Sequence, residues 1–384
     1  MKIAIIVPYF QKEWGSYEYY LAKNLSSSGQ DVTIITSATK VKRYYLDDRS
    51  ALMAEEEVDG FYLKRLPVKY ELEEVPLMQN LRKTLEAGGF DIVHSTEDFQ
   101  LCSWQASSYT KEQKIPLFIT RWLYWKPGIR LASFFQFYDR YISTIVRNRA
   151  DAIIAPSFAI KEYLMNYGVN EEKIQWIPSG VDIEAFFPDR SRMLREKLGI
   201  GDEKIILSIA RLHPLKGIHS LVQAYGTVAR NFPETRLVIL GKGPQEKELR
   251  DLAKQLDIEN KVSFLTEHVP HEKISRLYNS ADIFAFPSIV EPFGMANLEA
   301  MACGVPPVAS NTGGMRDMVL QGKTGFLFTP GDVKGIEIAL MAMLGDEKNT
   351  KEMAVQARKR ALEYDWRKIA RKILEKYEEA LPKN

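Results

Sequence analysis

Short, continuously apolar segments alternate with helix-length amphipathic segments along almost the whole chain. Strands that are apolar on both faces are typical of parallel sheets that helices cover on both sides. The pattern therefore predicts an α/β fold. The predicted strands are residues 3–7, 32–36, 92–94, 117–120 and 153–155 in the first half, and residues 205–209, 237–240, 262–265, 283–286, 307–309 and 325–328 in the second half.

Two sets of strands in a chain of 384 residues indicate two domains rather than one core. Turn-forming residues at 178–182 separate the sets, so we expect an N-terminal domain over residues 1–182 and a C-terminal domain over residues 183–364. Residues 365–384 are predicted to form an amphipathic helix that packs back on the N-terminal domain. Its apolar positions recur at helical spacing, at Trp366, Ile369, Ile373, Leu374 and Tyr377.

The charge balance and the two cysteines exclude several classes of protein. Fifty-two Lys and Arg against 50 Asp and Glu leave a formal charge of +2, too balanced for a protein that binds nucleic acid through a basic face. Cys102 and Cys303 lie too far apart in the sequence for a zinc motif or a disulfide framework. No apolar stretch reaches the roughly 20 residues of a membrane span. We expect a cytoplasmic protein that does not bind nucleic acid.

The loop after residues 205–209 carries two permanent cations, Arg211 and Lys216, just before a predicted helix. Ligands of parallel α/β sheets bind beyond the carboxyl ends of the strands. An Arg grips phosphate oxygens with paired hydrogen bonds, a Lys adds a compact charge, and a helix N-terminus adds its dipole. The loop is therefore a candidate anion site, and a solvated charged loop is the alternative.

A second loop, after the strand predicted at 283–286, holds two glutamates on either side of a predicted helix start. If the helix begins near Gly294, the backbone N–H groups of Met295 and Ala296 point out of its end. Glu291 then lies in the loop, and Glu299 lies one turn into the helix. Carboxylates flanking a row of donors suit a sugar and a ribose at the two ends of a diphosphate. A solvent-facing Glu299 is the alternative.

Other loops bear on cofactors. Gly241 leaves room for a ligand to approach the backbone, although an ordinary turn explains it better. The loop after the first strand has the single Gly15, so the GxGxxG fingerprint of dinucleotide-binding proteins is absent. The chain has no Asp-x-Asp sequence, and His213, His268 and His271 share no metal-ligand spacing. The sequence therefore predicts neither NAD nor a bound metal.

Taken together, these segments resemble the retaining nucleotide-sugar glycosyltransferases of family 4, the glycosyl transferases group 1. That resemblance implies the GT-B fold, in which two Rossmann-like parallel-sheet domains face each other across a cleft. Its most specific part is the Glu-Pro-Phe-Gly segment that begins at Glu291 and reaches Glu299, an E-x7-E motif. Residues 211–217, 177–182 and 312–314 also match, so the resemblance covers nearly the whole chain.

The resemblance implies a UDP- or GDP-sugar donor and no metal or other cofactor. Arg211 and Lys216 would bind the donor diphosphate, and the N–H groups of Met295 and Ala296 would bind its distal phosphate. These cations would stabilise the leaving group as negative charge develops on it, which suits metal-free transfer.

The same resemblance assigns the two ends of the donor. Glu291 would accept hydrogen bonds from the transferred sugar and Glu299 from the ribose, while the backbone near Val269 would face the base. Gly15 and Gly241 would lie close to the donor. Family members usually carry a Gly-Gly pair where this chain has only Gly15.

The acceptor is expected against the N-terminal domain, on the side of Glu18, His94 and Trp122. Trp122 stands where many family members have a His, so the sugar-holding role of that His does not carry over. His94 comes at a predicted strand end, where a buried structural role is the alternative to acceptor binding.

Residues 121–149 combine many cations and aromatic rings with one acid, Asp139. Such a segment suits anionic lipid headgroups or a lipid-linked acceptor, so we expect peripheral contact with the inner membrane face. The alternative is that the rings pack in the core and the arginines line the surface. The cations are Arg121, Lys126, Arg130, Arg140, Arg147 and Arg149, and the rings are Trp122, Tyr124, Trp125, Phe134, Phe135, Phe137, Tyr138 and Tyr141.

Two other functions are compatible with the same fold. A nucleotide-sugar 2-epimerase or a phosphorylase would share it, and a non-catalytic scaffold would keep it while losing a residue such as the His replaced by Trp122. Intact Glu291, Arg211 and Lys216 favour retaining, front-face transfer of the sugar to a hydroxyl acceptor.

Overall fold

The computed structural model describes residues 1–39, 54–72, 74–122, 132–189, 191–267 and 269–382. The strands are β1 (Lys2–Ile6), β2 (Asp31–Ser37), β3 (Glu55–Val58), β4 (Phe61–Leu66), β5 (Val68–Leu72), β6 (Val75–Met78), β7 (Ile92–Thr96), β8 (Leu117–Thr120), β9 (Ala152–Ala155), β10 (Ile174–Trp176), β11 (Lys204–Ile209), β12 (Thr235–Leu240), β13 (Val262–Leu265), β14 (Ile283–Phe286), β15 (Pro307–Ser310) and β16 (Phe326–Phe328).

The helices are α1 (Tyr17–Ser27), α2 (Leu81–Gly88), α3 (Leu101–Gln113), α4 (Ala132–Arg149), α5 (Phe158–Asn166), α6 (Met193–Leu198), α7 (Ile218–Asn231), α8 (Glu246–Gln255), α9 (His271–Tyr278), α10 (Met295–Ala302), α11 (Met315–Met318), α12 (Val333–Gly345), α13 (Glu347–Ala361) and α14 (Trp366–Ala380). In the described ranges, none of these helices is long and apolar enough to cross a lipid bilayer.

The chain folds into two compact units: the first comprises Met1–Gly180 and Trp366–Asn384, and the second comprises Val181–Asp365. The sequence placed the boundary between 182 and 183. The structure places it two residues earlier because Val181 is bonded to the end of the second unit. Its N–H donates to the Tyr364 carbonyl at 2.8 Å, and it forms a parallel bridge with Asp365.

The first unit is built on a sheet that has eight strands within the described ranges, in the order β10-β9-β8-β7-β1-β2-β4-β3. All neighbours are parallel except β3, which pairs antiparallel with β4, and β5 and β6 form a separate antiparallel pair. Both faces of the sheet are buried. Along β1, Ile3 and Ile5 join one apolar cluster with residues of α1 and α14, while Ala4 and Ile6 join another with residues of α2, α3 and α5.

The terminal helix α14 packs against α1. Trp366 is 2% exposed, and its ring is stacked on Tyr20 at 5.8 Å between centroids and tilted against Tyr17 at 5.2 Å. Aromatic pairs at this separation add to the stabilisation that burial provides. The last segment of the chain thus completes the core of the first unit.

The second unit has an entirely parallel sheet of six strands in its described residues, in the order β13-β12-β11-β14-β15-β16. The adjacent strands β11 and β14 lie at its centre, paired through Ile206 with Ile283 and Leu207 with Phe284. Because parallel strands end at the same edge, the loops that follow β11 and β14 are neighbours. These are the two loops in which the sequence placed the candidate donor residues.

Candidate active site

The loops after β11 and β14 are bonded directly to each other. The Ile289 N–H donates to the Leu215 carbonyl at 2.8 Å. Gly217 ends the first loop with φ +65°, and a Cβ there would lie 2.0 Å from the Pro287 carbonyl oxygen. A glycine is therefore required for this close approach. The contact fixes Lys216 of one loop beside the Glu291 carboxylate of the other.

Lys216 and Glu291 form an ion pair across the two loops, with 2.6 Å between the Lys216 Nζ and the Glu291 Oε2. Ser288 Oγ lies 3.4 Å from the same oxygen. Lys216 ends a short 3₁₀ turn, Pro214–Lys216, which His213 caps by accepting the Leu215 N–H through Nδ1 at 3.3 Å. The pair remains partly exposed, as a ligand site requires. Its geometry is set by backbone contacts on both sides.

Arg211 opens the same loop, directly after β11, and its side chain is exposed. The structure thus places Arg211 and Lys216 at the carboxyl edge of the central strands, as the sequence predicted, and brings Lys216 onto Glu291.

Helix α10 follows the loop that carries Glu291. Its N-cap Gly294 has φ +98°, and a Cβ there would lie 2.4 Å from the Met315 Sδ. Met295 and Ala296 form the first turn and are half-buried. The N–H groups of a first helical turn have no intrahelical acceptor, and they carry the positive end of the helix dipole. Glu291 lies three residues before the N-cap, in the loop that leads into this turn.

Glu299 lies one turn into α10 and contacts two side chains of α9. Tyr278 Oη donates to Glu299 Oε2 at 2.9 Å, and His271 Nε2 lies 3.8 Å from Glu299 Oε1. Burial and the Glu299 carboxylate raise the pKa of Tyr278 well above its ordinary value. Burial lowers the pKa of His271, but the hydrogen bond and charge of Glu299 outweigh it, so the pKa is raised. The solvent-facing alternative for Glu299 is therefore wrong.

The glycines in the loops near the site are required by contacts with neighbouring backbone rather than by a ligand. A Cβ at Gly241, where φ is +151°, would lie 1.8 Å from the Ala210 carbonyl oxygen. A Cβ at Gly313 would lie 1.6 Å from the Glu291 carbonyl oxygen. These glycines allow the loops of the second unit to pack on one another. Val269 is half-buried between β13 and α9, and its neighbour His268 lies outside the described residues.

The first unit brings Glu18 and Trp122 to the carboxyl edge of its own sheet. Glu18 Oε1 accepts from the Thr96 hydroxyl at 3.0 Å. The backbone N–H of Trp122 donates to Glu97 Oε1 at 3.2 Å. The Trp122 ring packs edge-on against Tyr17, with 5.0 Å between the ring centroids. The structure therefore gathers Glu18 and Trp122 where the sequence expected the acceptor.

Gly15 precedes α1 and ends a 3₁₀ turn, Lys12–Trp14, in the left-handed conformation with φ 54°. It lies in the loop after β1, at the same edge of the sheet as the residues after β7 and β8.

His94 has the structural role that the sequence left open. It is 1% exposed, and its Nε2 lies 2.7 Å from the Thr120 hydroxyl while its Nδ1 contacts the Tyr377 hydroxyl. Burial lowers the pKa of His94 to about 3, so the ring is neutral at physiological pH. A neutral imidazole enclosed by the core does not face an acceptor, and the expectation of an acceptor contact at His94 is corrected accordingly.

The basic segment differs from its predicted surface role at two cations. Arg121 and Arg147 are buried and contact both Asp98 and Asp139. The Arg121 Nη2 lies 3.2 Å from the Asp139 Oδ1, and the Arg147 Nε lies 2.5 Å from the Asp98 Oδ2. Tyr163 donates to Asp139. These two arginines neutralise buried acids and cannot meet a lipid.

Two other cations of the segment are described. Arg140 is exposed, and Arg149 bonds Ser108 at 2.8 Å. Tyr124, Trp125, Lys126 and Arg130 lie outside the described residues, and the description does not extend to the side chains of Phe134, Phe135, Phe137 and Tyr138.

The two units match two family models. Residues 15–185 match the model described as Glycosyltransferase Family 4, and residues 191–360 match the model described as Glycosyl transferases group 1. The chain belongs to the family 4 glycosyltransferases. The matches assign the Glu18 and Trp122 region to the family 4 model, and the Lys216, Glu291 and Glu299 region to the group 1 model.

Two relatives illustrate the similarity of this family 4 chain to characterised proteins. A GDP-mannose-dependent alpha-(1-6)-phosphatidylinositol monomannoside mannosyltransferase of Mycolicibacterium smegmatis is 34% identical over 246 residues, 61% of this chain and 60% of that protein. A D-inositol 3-phosphate glycosyltransferase of Corynebacterium urealyticum is 35% identical over 245 residues, 61% of this chain and 57% of that protein. The matches thus span about 60% of the length of these relatives.

Solved structures confirm the fold. HepE of Anabaena, in complex with UDP, has a TM-score of 0.81 at 23% identity and covers 99% of this chain and 100% of that one. Sucrose-phosphate synthase of Thermosynechococcus elongatus has a TM-score of 0.79 at 22% identity and covers 98% of each chain. The predicted GT-B architecture of two Rossmann-like parallel-sheet units is therefore correct.

In the part of the chain that the structure describes, no group of three or more His, Cys, Asp or Glu side chains is arranged to hold a metal ion. Among the described charged side chains of the two loops, Lys216 and Glu291 form an ion pair and Arg211 is exposed.

Proposed function

We propose that the protein transfers a sugar, with retention, from a UDP- or GDP-sugar to a hydroxyl group of an acceptor. The observation that carries the proposal is the Lys216–Glu291 pair, formed by the loop that leads into the first turn of α10. A cation and helix N–H groups suit a diphosphate, and an adjacent carboxylate suits sugar hydroxyls.

Each group has one task in the proposed reaction. Arg211, Lys216 and the N–H groups of Met295 and Ala296 stabilise negative charge on the departing diphosphate. The bond between the anomeric carbon and the phosphate oxygen breaks, and the acceptor oxygen bonds to the anomeric carbon from the same face. The acceptor proton passes to the departing phosphate oxygen. Glu291 orients the transferred sugar and is not required as a base.

The choice of donors follows the relatives. One relative is named as GDP-mannose-dependent, and HepE was solved with UDP and with UDP-glucose. We propose that the donor of this chain is one of these two nucleotide classes, bound with its base near Val269, its ribose at Glu299 and its diphosphate at Lys216.

Transfer is expected to be independent of divalent metal, because the side-chain cations and the helix start already supply positive charge at the diphosphate. Turnover in excess chelator should equal turnover in added magnesium. Retention is tested separately: an α-linked donor should give an α-linked product, as judged by the anomeric proton coupling in NMR. A purified enzyme that regains activity only with magnesium or manganese, or a β-linked product, would contradict the proposal. Nucleotide-sugar epimerisation without transfer would identify the alternative activity.

The proposed acceptor is lipid-linked or otherwise amphipathic. The relatives named above include a phosphatidylinositol monomannoside mannosyltransferase. In this chain, Arg140, Tyr141 and Ile145 expose their side chains along α4, with Tyr141 56% and Ile145 41% exposed. Residues four apart lie on the same side of a helix, so Tyr141 and Ile145 form an apolar strip beside a cation. Such a strip suits peripheral contact with an anionic membrane.

Vesicle binding tests this contact. The protein is expected to co-sediment with vesicles containing phosphatidylglycerol at low salt and to be released by added salt, because surface attraction of charges is screened. The variant Arg140→Glu with Ile145→Glu should lose binding, whereas Arg371→Glu, which repeats the Arg-to-Glu reversal on the exposed face of α14, should retain it. Equal binding to neutral vesicles, or none to either, would leave a water-soluble acceptor as the proposal.

A further inference from the structure

The Glu299 carboxylate accepts a hydrogen bond from a buried tyrosine whose ring packs among other aromatic rings. Tyr278 is fully buried and donates to Glu299 Oε2 at 2.9 Å. Phe284 meets the Tyr278 ring at 5.4 Å between centroids, and Phe186 meets it at 6.1 Å. Phe186 also meets the ring of His271 at 5.4 Å. The same aromatic packing therefore supports both side chains that contact Glu299.

The hydrogen-bond capacity of the carboxylate matters here. An ionised carboxylate has two oxygens with about four acceptor positions. Tyr278 takes one position on Oε2, and His271 lies near Oε1 at 3.8 Å. Each oxygen thus retains capacity for one hydroxyl, and a ribose presents two neighbouring hydroxyls. A freely rotating glutamate would have to lose side-chain freedom on binding, which costs affinity.

We propose that Tyr278, assisted by His271, is a positioning residue that fixes Glu299 for the ribose diol of the donor. This inference rests on the proposed function, because it assumes that a nucleoside diphosphate binds at this edge of the second unit. Tyr278 does not touch the donor itself. It acts through Glu299 and sets the preference for ribose over a deoxyribose.

The Tyr278–Glu299 hydrogen bond links two helices and can be removed without changing the packing of the tyrosine ring. Tyr278 lies at the end of α9 and Glu299 lies in the second turn of α10, so the bond joins two elements that flank β14. A phenylalanine at 278 would keep the ring packing and remove only the donor. The effect of that change therefore reports the hydrogen bond rather than the core.

The test compares nucleotides with and without the ribose hydroxyls. Dissociation constants of UDP and GDP, with their 2′-deoxy and 3′-deoxy forms, are measured by calorimetry for the full chain and for Tyr278→Phe. Wild-type protein should prefer the ribose form, and Tyr278→Phe should bind it about 10-fold more weakly, the effect of losing a hydrogen bond to a charged group. The variant should bind the deoxy forms as well as wild-type protein does.

Tyr225→Phe provides the matched control. Tyr225 is also fully buried in the second unit, and its hydroxyl donates to the Thr235 carbonyl at 2.9 Å, away from Glu299. This variant should leave the ribose preference unchanged. If Tyr278→Phe does not fold, His271→Gln is measured in the same way. This change leaves the Tyr278 ring and hydroxyl in place, removes the ring that contacts Phe186 and changes the group near Oε1, so it should reduce the ribose preference.

Two results separate the inference from the function on which it rests. Wild-type protein that binds neither UDP nor GDP would overturn both. Wild-type protein that prefers the ribose form, together with variants that keep this preference or that weaken ribose and deoxyribose forms equally, would overturn the positioning role of Tyr278 and leave the proposed function intact.

Discussion

Lys216→Ala and Arg211→Ala are each expected to lower kcat by a factor of roughly 10²–10³, the range observed when one preorganised donor to a developing charge is removed. Lys216 is the stronger test because its ammonium lies 2.6 Å from Glu291 at the start of α10. Its loss removes positive charge from the leaving group and also leaves Glu291 without its ion-pair partner. Steady-state release of nucleoside diphosphate measures the effect.

The control for the variants Lys216→Ala and Arg211→Ala is Lys261→Ala. Lys261 is also a partly exposed lysine of the second unit, paired with Glu203 at 3.2 Å. It precedes β13 and therefore lies at the amino edge of the sheet, away from the proposed diphosphate. It should keep normal turnover. Near-normal turnover of Lys216→Ala and Arg211→Ala would remove the diphosphate assignment.

Arg121→Met is expected to destabilise the first unit by about 3–5 kcal/mol, because breaking a buried ion pair leaves an uncompensated charge in the core. Asp98 and Asp139 are both buried, and each contacts both Arg121 and Arg147. In the variant, Arg147 would be the one arginine of this pair left to neutralise the two acids. Thermal unfolding of the purified full chain should show an earlier transition, or the variant should accumulate as insoluble protein.

Arg82→Ala is the matched control for stability. Arg82 pairs with Glu112 at 2.8 Å, but both side chains are about half exposed. Exposed pairs contribute little because water screens them. This variant should unfold at the same temperature as wild-type protein. An Arg121→Met protein that unfolds at the wild-type temperature would contradict the assignment of this network to the buried core.

The repeating apolar strands were predictable because parallel strands must be apolar on both faces. The strands that were missed lack this pattern. β4 reads Phe-Tyr-Leu-Lys-Arg-Leu and keeps Tyr62 57% exposed, while β10 has three residues and ends in Trp176, 50% exposed. Edge and near-edge strands expose one face, so continuous hydrophobicity does not identify them.

The placement of the candidate site residues was predictable where they are close in sequence, while their roles stay a prediction. Arg211 with Lys216, and Glu291 with Glu299, lie in single loops or helix turns, and strand order brings those loops together. The buried ion-pair network of Arg121 and Arg147 with Asp98 and Asp139 was not predictable in the same way. Arg121 contacts Asp98, which comes from the loop after another strand, so a local count of cations and acids missed the neutralisation.

The partner of Glu299 was also hidden from the sequence. Tyr278 lies on a helix face that no loop motif marks, and only the packing of α9 on α10 reveals it. Buried side chains that hold a functional group from behind leave no spacing signal, since their distance from it is set by the fold.

Release of UDP or GDP from a panel of UDP- and GDP-sugars, with wild-type protein and Lys216→Ala compared in excess chelator, tests the central claim most directly. One nucleotide sugar should be cleaved by wild-type protein, faster when an amphipathic hydroxyl acceptor is added, and Lys216→Ala should lose nearly all of this activity. Cleavage that is unaffected by Lys216→Ala, or a folded wild-type protein that neither binds nor cleaves any member of the panel, would contradict the claim.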